Sequence, residues 1–319
     1  MNYLVTGGTG SWGNELTKQL LAFEDTERIT IFSRNEYNQV AMQRKFNNSK
    51  LKFVIGDVRD SEAVEKACRG VSVLYHLGAL KHVPICEGQP EEAIKTNIIG
   101  TQNVISGALK NKVKRVIDVS TDKACAPNNL YGMTKAIGEK LILHADTQGE
   151  TRFICIRAGN VLGSAGSVVP LFIQQIEKYN SMTLTNGEMT RYFMSLPEAI
   201  KLVLTASKLE VRGKLLVMKM PSCTINDLAE TIGYLYGNEV TTIKHIGSRP
   251  GEKVHEMLVS EAEALSTYIY NDDYYLVSDE SLSLSKVDFK YYSSNSQKLL
   301  NREGIIGLLA KGGFVPCQK

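Results

Sequence analysis

The sequence has no long apolar segment, few cysteines and no strong excess of either charge. No run approaches the roughly eighteen apolar residues that a membrane-spanning helix needs, so a bilayer span is not predicted. The six cysteines lie far apart with no CxxC pair, which predicts neither a zinc site nor a disulfide framework. A formal charge of +3, dispersed along the chain, argues against the clustered basic face that nucleic acids require.

What remains is the composition of an ordinary globular protein. Hydrophobic residues make up 43% of the 319 positions and charged residues 22%, and this length suits one large domain or two smaller ones. The first strand pattern begins within a few residues of Met1, so we expect no signal peptide. These features predict a protein of a reducing compartment, with a cytoplasmic location.

Short apolar runs alternate with helical patterns through the first half of the chain. The predicted strands lie at residues 2–8, 28–34, 51–57, 71–79, 114–121 and 151–161. Their nearly continuous apolar character is typical of a sheet that is covered on both faces. The segments between them, such as residues 90–111, have helical spacing. This alternation predicts an α/β fold with a doubly wound, parallel Rossmann sheet and right-handed crossovers.

After about residue 165 the alternation becomes less regular. Helices are predicted at residues 168–180, 196–209, 224–237 and 296–313, a strand at 214–220 and a polar stretch at 271–296. We therefore expect a dinucleotide-binding domain over residues 1–165 and a smaller α+β portion, mainly for substrate binding, over residues 166–319. The boundary is soft, since the chain is expected to cross back to the sheet.

A glycine-rich turn follows the first strand and opens the first helix. The stretch TGGTGSWG, residues 6–13, allows a tight turn and a close approach to a pyrophosphate at the helix N-terminus. Because the turn lies within a strand–helix–strand unit, it predicts a dinucleotide site. The predicted cofactor contacts in this turn are Gly7, Thr9, Gly10, Ser11, Trp12 and Gly13.

The end of the second strand predicts which dinucleotide binds. A site for NAD usually has an acid there, which accepts a hydrogen bond from the ribose 2′-hydroxyl group. This strand ends with Ser33 and Arg34, which suit a 2′-phosphate and therefore NADP, although Glu36 lies close enough to leave NAD open. Asp57 and Val58, which end the third strand, are expected at the adenine edge, but a simple turn explains their spacing equally well.

The stretch STDKACAPNNLYGMTK, residues 120–135, places an acid, two lysines and a phenol after a predicted strand. Ligands bind at that edge of an open α/β sheet. Tyr131 and Lys135 are four positions apart on a helix and therefore share one face. A lysine beside a phenol favours the phenolate, which accepts a hydroxyl proton while nicotinamide takes a hydride from the same carbon. The alternative is the polar face of a solvated helix.

Four widely spaced stretches narrow this interpretation: LGALKHVP (77–84), STDKACAPNNLYGMTK (120–135), MTRYFM (189–194) and RPGEKVHE (249–256). With them the sequence resembles the extended short-chain dehydrogenase/reductase superfamily over essentially its whole length. It is similar to the soluble UDP-N-acetylglucosamine 4,6-dehydratases, especially the C5-inverting enzymes of the bacterial pseudaminic acid pathway. The resemblance implies tightly bound NADP, a UDP-sugar substrate, a homo-oligomer and a role in surface glycan synthesis.

The resemblance also implies a division of roles. Tyr131 accepts the proton as carbon 4 is oxidised, Lys135 orients it, and Thr121 hydrogen-bonds the same hydroxyl group. Asp122 is the acid that releases the carbon 6 hydroxyl group as water, and Lys123 is the base that removes the carbon 5 proton. We expect burial near Lys135 to lower the pKa of Lys123, as a base requires. A structural loop pair is the alternative for Asp122 and Lys123.

The remaining predicted contacts rest on the resemblance, and in isolation each is an ordinary loop or surface residue. Leu77 and Ala79 are expected beside the cofactor, and Lys81 and Val83 beside the sugar or the cofactor phosphates. The further expected substrate contacts are Asn160, Ser167, Val168, Pro170, Arg191, Arg249 and Glu252. The two arginines suit a diphosphate, and the glutamate suits the ribose hydroxyl groups of UDP.

The reaction type and its stereochemistry leave alternatives open. Some C5-retaining relatives share the Thr-Asp-Lys triplet and lack the tyrosine, so Tyr131 favours inversion. An NADP-linked 4-epimerase or a reductase needs the tyrosine but not the Asp-Lys pair. A non-catalytic dinucleotide sensor does not need Thr121, Tyr131 and Lys135 together. A membrane-anchored dehydratase of the capsule type is disfavoured, because no membrane segment is predicted.

Overall fold

The computed structural model describes residues 1–164, 166–248 and 251–316. Within these ranges the chain forms a sheet of nine strands, and it adds three small sheets. Helices pack on both faces of the large sheet, so its strands are buried on both sides as their apolar runs predict.

The first half of the chain alternates strands and helices. Its elements are β1 (Asn2–Thr6), α1 (Ser11–Leu21), β2 (Arg28–Ser33), α2 (Glu36–Phe46), β3 (Leu51–Ile55), α3 (Ser61–Ala67), β4 (Val73–His76), α4 (Val83–Gly88), α5 (Pro90–Ile94), a π-helical turn (Lys95–Ile99), α6 (Gly100–Lys110), β5 (Arg115–Thr121), a 3₁₀ turn (Asp122–Ala124), α7 (Leu130–Ala145), β6 (Arg152–Ala158) and β7 (Asn160–Val161). Asn35, Asp60 and Asn129 cap helices α2, α3 and α7, because each side chain accepts a backbone N–H bond in the first turn.

The second half contains more short strands. Its elements are α8 (Val168–Tyr179), β8 (Ser181–Leu184), β9 (Thr190–Met194), α9 (Leu196–Lys208), β10 (Lys214–Met218), β11 (Ser222–Thr224), α10 (Ile225–Tyr236), β12 (Thr242–His245), β13 (Met257–Val259), α11 (Glu261–Ala264), β14 (Thr267–Ile269), β15 (Tyr274–Val277), β16 (Tyr292–Ser293) and α12 (Arg302–Lys311). Ser195 and Ser260 begin α9 and α11 with capping boxes.

The strand order of the large sheet confirms the predicted doubly wound α/β fold. Among the described residues the order is β14-β15-β10-β6-β5-β4-β1-β2-β3, and every pair from β3 to β10 is parallel. The order reverses between β1 and β4, which is the switch point at which such sheets bind ligands. The carboxyl ends of β1, β4 and β5 therefore face one crevice.

The second half of the chain contributes both to the core of the large sheet and to a separate apolar cluster. Helix α9 and strands β10 and β15 join the core of the large sheet. A separate apolar cluster forms between α8, α10 and α12, around Phe172, Leu228 and Leu309. The chain thus returns to the sheet after building a smaller α+β lobe beside it.

Two local predictions are wrong in detail. The helix predicted over residues 90–111 is interrupted, because the π-helical turn at Lys95–Ile99 separates α5 from α6. The last helix begins at Arg302 and not near residue 296. The polar stretch at 271–296 contains two short strands, β15 and β16, which the sequence pattern does not predict.

No helix among residues 1–164, 166–248 and 251–316 is both long enough and apolar enough to cross a membrane.

Candidate active site

A cavity with a volume of about 1150 Å³ opens at the carboxyl ends of the parallel strands. One wall is the glycine turn with the ends of β2, β4 and β5. The opposite wall includes Asn160, Ser167, Phe172, Arg191 and Glu256. Typical single-ligand pockets have volumes of about 300–1,000 Å³. The cavity therefore lies slightly above the upper end of this range, and it runs from the glycine turn past the end of β5 to the opposite wall.

The glycine turn has the geometry that a pyrophosphate needs. Gly7 has a φ of +63°, and a Cβ atom there would lie 2.8 Å from the Cα atom of Gly78. A Cβ atom at Gly13 would lie 2.1 Å from the carbonyl oxygen of Gly8, so the start of α1 packs directly on the turn. The predicted contacts Gly7, Thr9, Gly10, Ser11, Trp12 and Gly13 all line the cavity. The residues present fit a dinucleotide at this helix N-terminus.

The end of the cavity beside β2 bears one cation and one carboxylate. Ser33, Arg34, Asp57 and Val58 line it, whereas Glu36 does not. The side chain of Arg34 is 55% exposed and its Nη1 atom lies 3.9 Å from Asp57. Burial raises the pKa of Asp57. Hydrogen bonds to Arg59, the charge of Arg59 and a smaller contribution from the charge of Arg34 outweigh burial, so the pKa is lowered overall. Arg59 is the close partner of Asp57, at 2.6 Å, so Arg34 is not held by a direct hydrogen bond to that carboxylate.

The end of β5 brings the predicted catalytic residues together. Thr121 ends the strand, Asp122 and Lys123 form the 3₁₀ turn after it, and Tyr131 and Lys135 follow on α7. Four of the five line the cavity, and Asp122 is the exception. A Cβ atom at Gly132 would lie 2.2 Å from the carbonyl oxygen of Lys123, so this glycine allows α7 to pack against the turn.

Tyr131 and Lys135 form the phenol–ammonium pair that the spacing predicts. Burial raises the pKa of Tyr131, and the charges of Lys135 and Lys123 with a hydrogen bond to Thr121 reverse part of that rise. Burial lowers the pKa of Lys135, but the charge of Asp118 and smaller contributions from Tyr131, Cys155 and a hydrogen bond to Asp118 together outweigh burial and raise the pKa overall. The lysine therefore remains a cation that favours the phenolate.

The pKa of Lys123 is the clearest correction to the sequence interpretation. Burial lowers it as expected, but the charges of Asp122 and Glu256 outweigh burial and raise the pKa overall. The Nζ atom lies 3.0 Å from Asp122 Oδ1 and 3.5 Å from Glu256 Oε1. Lys123 is therefore an ammonium group held between two carboxylates, and burial near Lys135 does not make it a free base.

Asp122 is buried more deeply than a surface acid would be. The residue is fully buried, and its Oδ1 atom accepts hydrogen bonds from the Thr121 hydroxyl group and the Lys123 ammonium group, each at 3.0 Å. Its Oδ2 atom has no partner among the described residues, and a Cβ atom at Gly159 would lie 3.4 Å from it. One oxygen is thus bonded within the loop, and the other is buried outside the cavity lining.

Most of the other predicted contacts also line the cavity. Leu77, Ala79, Lys81, Val83, Asn160, Ser167, Val168, Arg191 and Glu252 line the cavity. Pro170 lies in the first turn of α8 without lining it, and Arg249 lies outside the described residues. Ser167 is the N-cap of α8, and its buried hydroxyl group has no partner among the described residues. A second helix N-terminus therefore faces the cavity, opposite the first.

Arg191 is held by the protein itself. Its guanidinium group donates to the carbonyl oxygens of Thr190 and Lys253 at 2.8 Å and of Val254 at 3.1 Å. The Nε atom lies 3.8 Å from Glu256. The arginine thus fixes the segment 251–256 against β9 and adds positive charge to the cavity wall, with few donors left for a ligand.

Sequence reasoning missed Glu256 and Asp118 as members of the site. Glu256 is 2% exposed and lines the cavity. It ends the stretch RPGEKVHE, which also contains Glu252, and the spacing of the two glutamates does not show that Glu256 would contact Lys123. Asp118 is a charged residue inside the apolar strand RVIDVST, and that contrast was the available signal. Asn97 is a structural residue, because its amide group bonds both backbone groups of Leu80 and the hydroxyl group of Thr134.

The strand order, the glycine turn and a Tyr-x-x-x-Lys pair at the carboxyl edge define a Rossmann-fold protein of the short-chain dehydrogenase/reductase type. Residues 3–278 match the family described as polysaccharide biosynthesis protein. The chain belongs to that family.

Relatives and solved structures cover nearly the whole chain. An uncharacterized membrane protein of Methanocaldococcus jannaschii is 42% identical over 98% of this chain and 96% of its own length. A UDP-glucose 4-epimerase of Rickettsia rickettsii is 41% identical over the same shares. The structure of Pen from Bacillus thuringiensis has a TM-score of 0.93, with 37% identity over 99% of this chain and 98% of that one. The dTDP-glucose 4,6-dehydratase of Streptomyces venezuelae, with NAD bound, shares the fold at a TM-score of 0.73 and 22% identity, over 80% and 87% of the chains.

Proposed function

We propose that the protein is an NADP-dependent UDP-N-acetylglucosamine 4,6-dehydratase that inverts carbon 5. Its product would be a UDP-4-keto-6-deoxy-L-hexose for pseudaminic acid or another surface glycan. The observation that carries the proposal is the meeting of two chemical pairs in one cavity. Tyr131 with Lys135 suits oxidation, and Asp122 with Lys123 suits elimination, beside a dinucleotide turn and a second helix N-terminus.

The cofactor contacts of the proposal follow from the fit of the turn. Gly7 to Gly13 would hold the pyrophosphate, and Leu77, Ala79, Lys81, Tyr131 and Lys135 would surround the nicotinamide half. Ser33 and Arg34 favour the 2′-phosphate of NADP, since no acid from the end of β2 lines the cavity. When bound, the nicotinamide supplies hydride acceptance at carbon 4 and hydride return at carbon 6.

The diphosphate of the substrate would lie at the N-terminus of α8. Ser167 and the first-turn N–H groups there face the cavity, and Val168 and Asn160 stand beside them. Glu252, which lines the cavity, would accept from ribose hydroxyl groups, and Lys81 and Val83 would contact the sugar. Arg249 is proposed as a contact of the diphosphate from its sequence motif alone. Arg191 would attract the diphosphate mainly through its charge.

In the oxidation step Tyr131 would accept the proton of the carbon 4 hydroxyl group. Thr121 would hold that hydroxyl group, because it ends β5 within hydrogen-bonding reach of the phenol. Lys135 keeps a positive charge beside the phenol and so lowers the cost of the phenolate.

In the elimination step the Asp122–Lys123 pair would work as one unit. Transfer of one proton along their 3.0 Å hydrogen bond converts the ion pair into a neutral amine and a carboxylic acid. The amine then removes the carbon 5 proton, and the acid protonates the departing carbon 6 hydroxyl group as water, which leaves the ion pair restored. Because Asp122 is fully buried, this step requires its side chain to turn toward the cavity when substrate binds.

A UDP-sugar 4-epimerase is the second candidate, since Rickettsia relatives of 40% identity or more bear that name. An epimerase needs the oxidation pair, whereas Asp122 and Lys123 would then have no chemical role. A dehydratase that retains the configuration at carbon 5 is a variant of the main proposal. Assembly into a homo-oligomer stays a prediction.

One experiment separates these candidates. The purified protein is incubated with UDP-N-acetylglucosamine in deuterated water, and the product is examined by NMR. The proposal predicts a 4-keto-6-deoxy product with deuterium at carbon 5 and an L-configured ring. Epimerisation at carbon 4 without loss of water would establish the second candidate, and a D-configured dehydration product would establish retention. Tyr131→Phe is the matched inactive control.

A further inference from the structure

Four polar side chains cross the centre of the sheet in a single register. Thr6 of β1 is paired with His76 of β4, His76 with Asp118 of β5, and Asp118 with Cys155 of β6. None of the four is more than 2% exposed. Buried polar groups destabilise a fold unless they are bonded, so each member of this row needs a partner.

Hydrogen bonds and burial determine the tautomer and the charge of the His76 imidazole. The hydroxyl group of Thr101 donates to the carbonyl oxygen of Asn97 at 2.7 Å, so it accepts from the Nε2–H group of His76 at 3.2 Å. The Nδ1 atom then accepts from the hydroxyl group of Thr6 at 2.7 Å. Burial lowers the pKa of His76 to about 4, although Asp118 acts against this change. The imidazole is therefore neutral at physiological pH.

With His76 neutral, Asp118 meets one permanent cation in the part of the chain that the structure describes. The Nζ atom of Lys135 lies 3.3 Å from Oδ2 and 3.5 Å from Oδ1 of Asp118. The thiol of Cys155 lies 3.7 Å from Oδ2. Carboxylate and ammonium are both withdrawn from water, so removal of either leaves the other charge uncompensated.

The groups that face Lys135 come from three elements. They are Asp118 of β5, Tyr131 of its own helix and Cys155 of β6, with His76 of β4 on the far side of Asp118. Burial raises the pKa of the Cys155 thiol, so this group stays neutral. Asp118 is the one carboxylate among them, and it is fully buried outside the cavity lining.

We propose that Asp118 is a positioning residue, which acts through Lys135 by holding its ammonium group in place and protonated beneath Tyr131. The hydroxyl group of Thr6, next to the glycine turn, bonds the Nδ1 atom of His76 and accepts from the backbone N–H group of Gly78 at 3.3 Å. The imidazole held in this way packs against the carboxylate, with its Nε2 atom 4.0 Å from Asp118 Oδ1. This inference rests on the proposed function, since Lys135 matters to the reaction through Tyr131.

The test is the variant Asp118→Asn, which keeps the size of the side chain and removes its charge. We measure the single-turnover formation of reduced nicotinamide with UDP-N-acetylglucosamine across pH. The alkaline limb of the rate should move to lower pH by about one unit or more, because a buried lysine without its carboxylate loses its proton more readily. Cys155→Ala removes a neighbour of Asp118 and leaves the ion pair, so its profile should match that of the unchanged protein. An unshifted profile in Asp118→Asn overturns the inference.

A second measurement tests the inference if the Asp118→Asn variant does not fold. In the unchanged protein with NADP bound, the lysine side chains are isotopically labelled and titrated by NMR, with Lys135→Arg used to assign the signal. Lys135 should keep its proton at pH values where exposed lysines lose theirs, and loss below about pH 9 overturns the inference. If the unchanged protein forms no reduced nicotinamide, the proposed function fails, while this titration still reports on Asp118.

Discussion

The ammonium group of Lys123 lies 3.5 Å from a carboxylate oxygen of Glu256 and 3.0 Å from one of Asp122. Asp122 is its neighbour in the chain, whereas Glu256 enters from the second half. Together the two carboxylates outweigh burial and keep the lysine protonated. The charge state of the proposed base is therefore controlled by a contact between the two halves of the chain.

The variant Glu256→Gln should move the pH dependence of proton exchange at carbon 5 of the sugar. Removal of one carboxylate lowers the pKa of Lys123, so the neutral amine becomes available at lower pH. The rising limb of exchange in deuterated water, followed by NMR, should shift down by about one pH unit. Glu261→Gln, which removes an exposed carboxylate whose side chain is 58% exposed, should leave the limb in place.

Loss of exchange in Glu256→Gln at every pH would contradict this assignment. That result would make Glu256 itself the base at carbon 5, with Lys123 as its cationic partner. Lys123→Ala separates the two outcomes, since it abolishes exchange if the amine is the base.

Tyr131→Phe should abolish the transient reduced cofactor. Removal of the phenol deletes the acceptor for the carbon 4 hydroxyl proton, and such groups contribute roughly 10²–10⁴-fold to a rate. Stopped-flow absorbance of reduced nicotinamide measures the effect. Tyr37→Phe is a matched control, because the side chain of Tyr37 is 80% exposed and lies outside the cavity lining. A Tyr131→Phe variant that reduces its cofactor at the normal rate would place the proton acceptor elsewhere.

Arg34→Ala should weaken NADP binding and leave NAD binding nearly unchanged. A charge-assisted hydrogen bond to the 2′-phosphate contributes about 1.5–3 kcal/mol, which corresponds to roughly 10–100-fold in affinity. Trp12 is the one tryptophan of the sequence and lines the same cavity, so its fluorescence reports binding of either dinucleotide. Arg44→Ala removes an exposed charge of α2 as the control. Equal losses for both dinucleotides would show that Arg34 does not read the 2′-phosphate.

The stability of the fold should fall as the pH drops from about 6.5 to about 4, in part because of His76. Its pKa is lowered to about 4 in the folded chain, so between these values the unfolded chain binds a proton that the folded chain does not. The contribution is fully present above about pH 6.5 and amounts to on the order of 3 kcal/mol.

The measurement is the free energy of unfolding across that pH window. His76→Gln should flatten the dependence relative to the unchanged protein, whereas His144→Gln, at an exposed position, should preserve it. Identical slopes for all three proteins would show that His76 does not titrate differently in the folded chain.

The fold class was readable because its signals are local. Apolar runs at 28–34, 51–57 and 114–121 become β2, β3 and β5, and the glycine spacing of residues 6–13 requires nothing beyond the turn itself. The errors have a different cause. The π-helical turn at Lys95–Ile99 and the strand β15 depend on packing against α7 and β10, which no local pattern records.

The residues at the end of β5 were also predictable, because the carboxyl ends of parallel strands meet at one edge of a sheet. The protonation states and the exposure of these residues were not predictable from the sequence. Asp122 is withdrawn from the cavity, and Lys123 carries a second carboxylate that its own segment does not supply.

The sequence by itself determined the α/β architecture, the glycine turn and the order of Thr121, Asp122, Lys123, Tyr131 and Lys135. Only the tertiary structure decided which charges face one another. It set Glu256 beside Lys123 and Asp118 beneath Lys135, at distances of 3.5 Å and 3.3 Å. Electrostatic energies in a buried site depend on such distances and on the exclusion of water, and neither quantity is a property of a local segment.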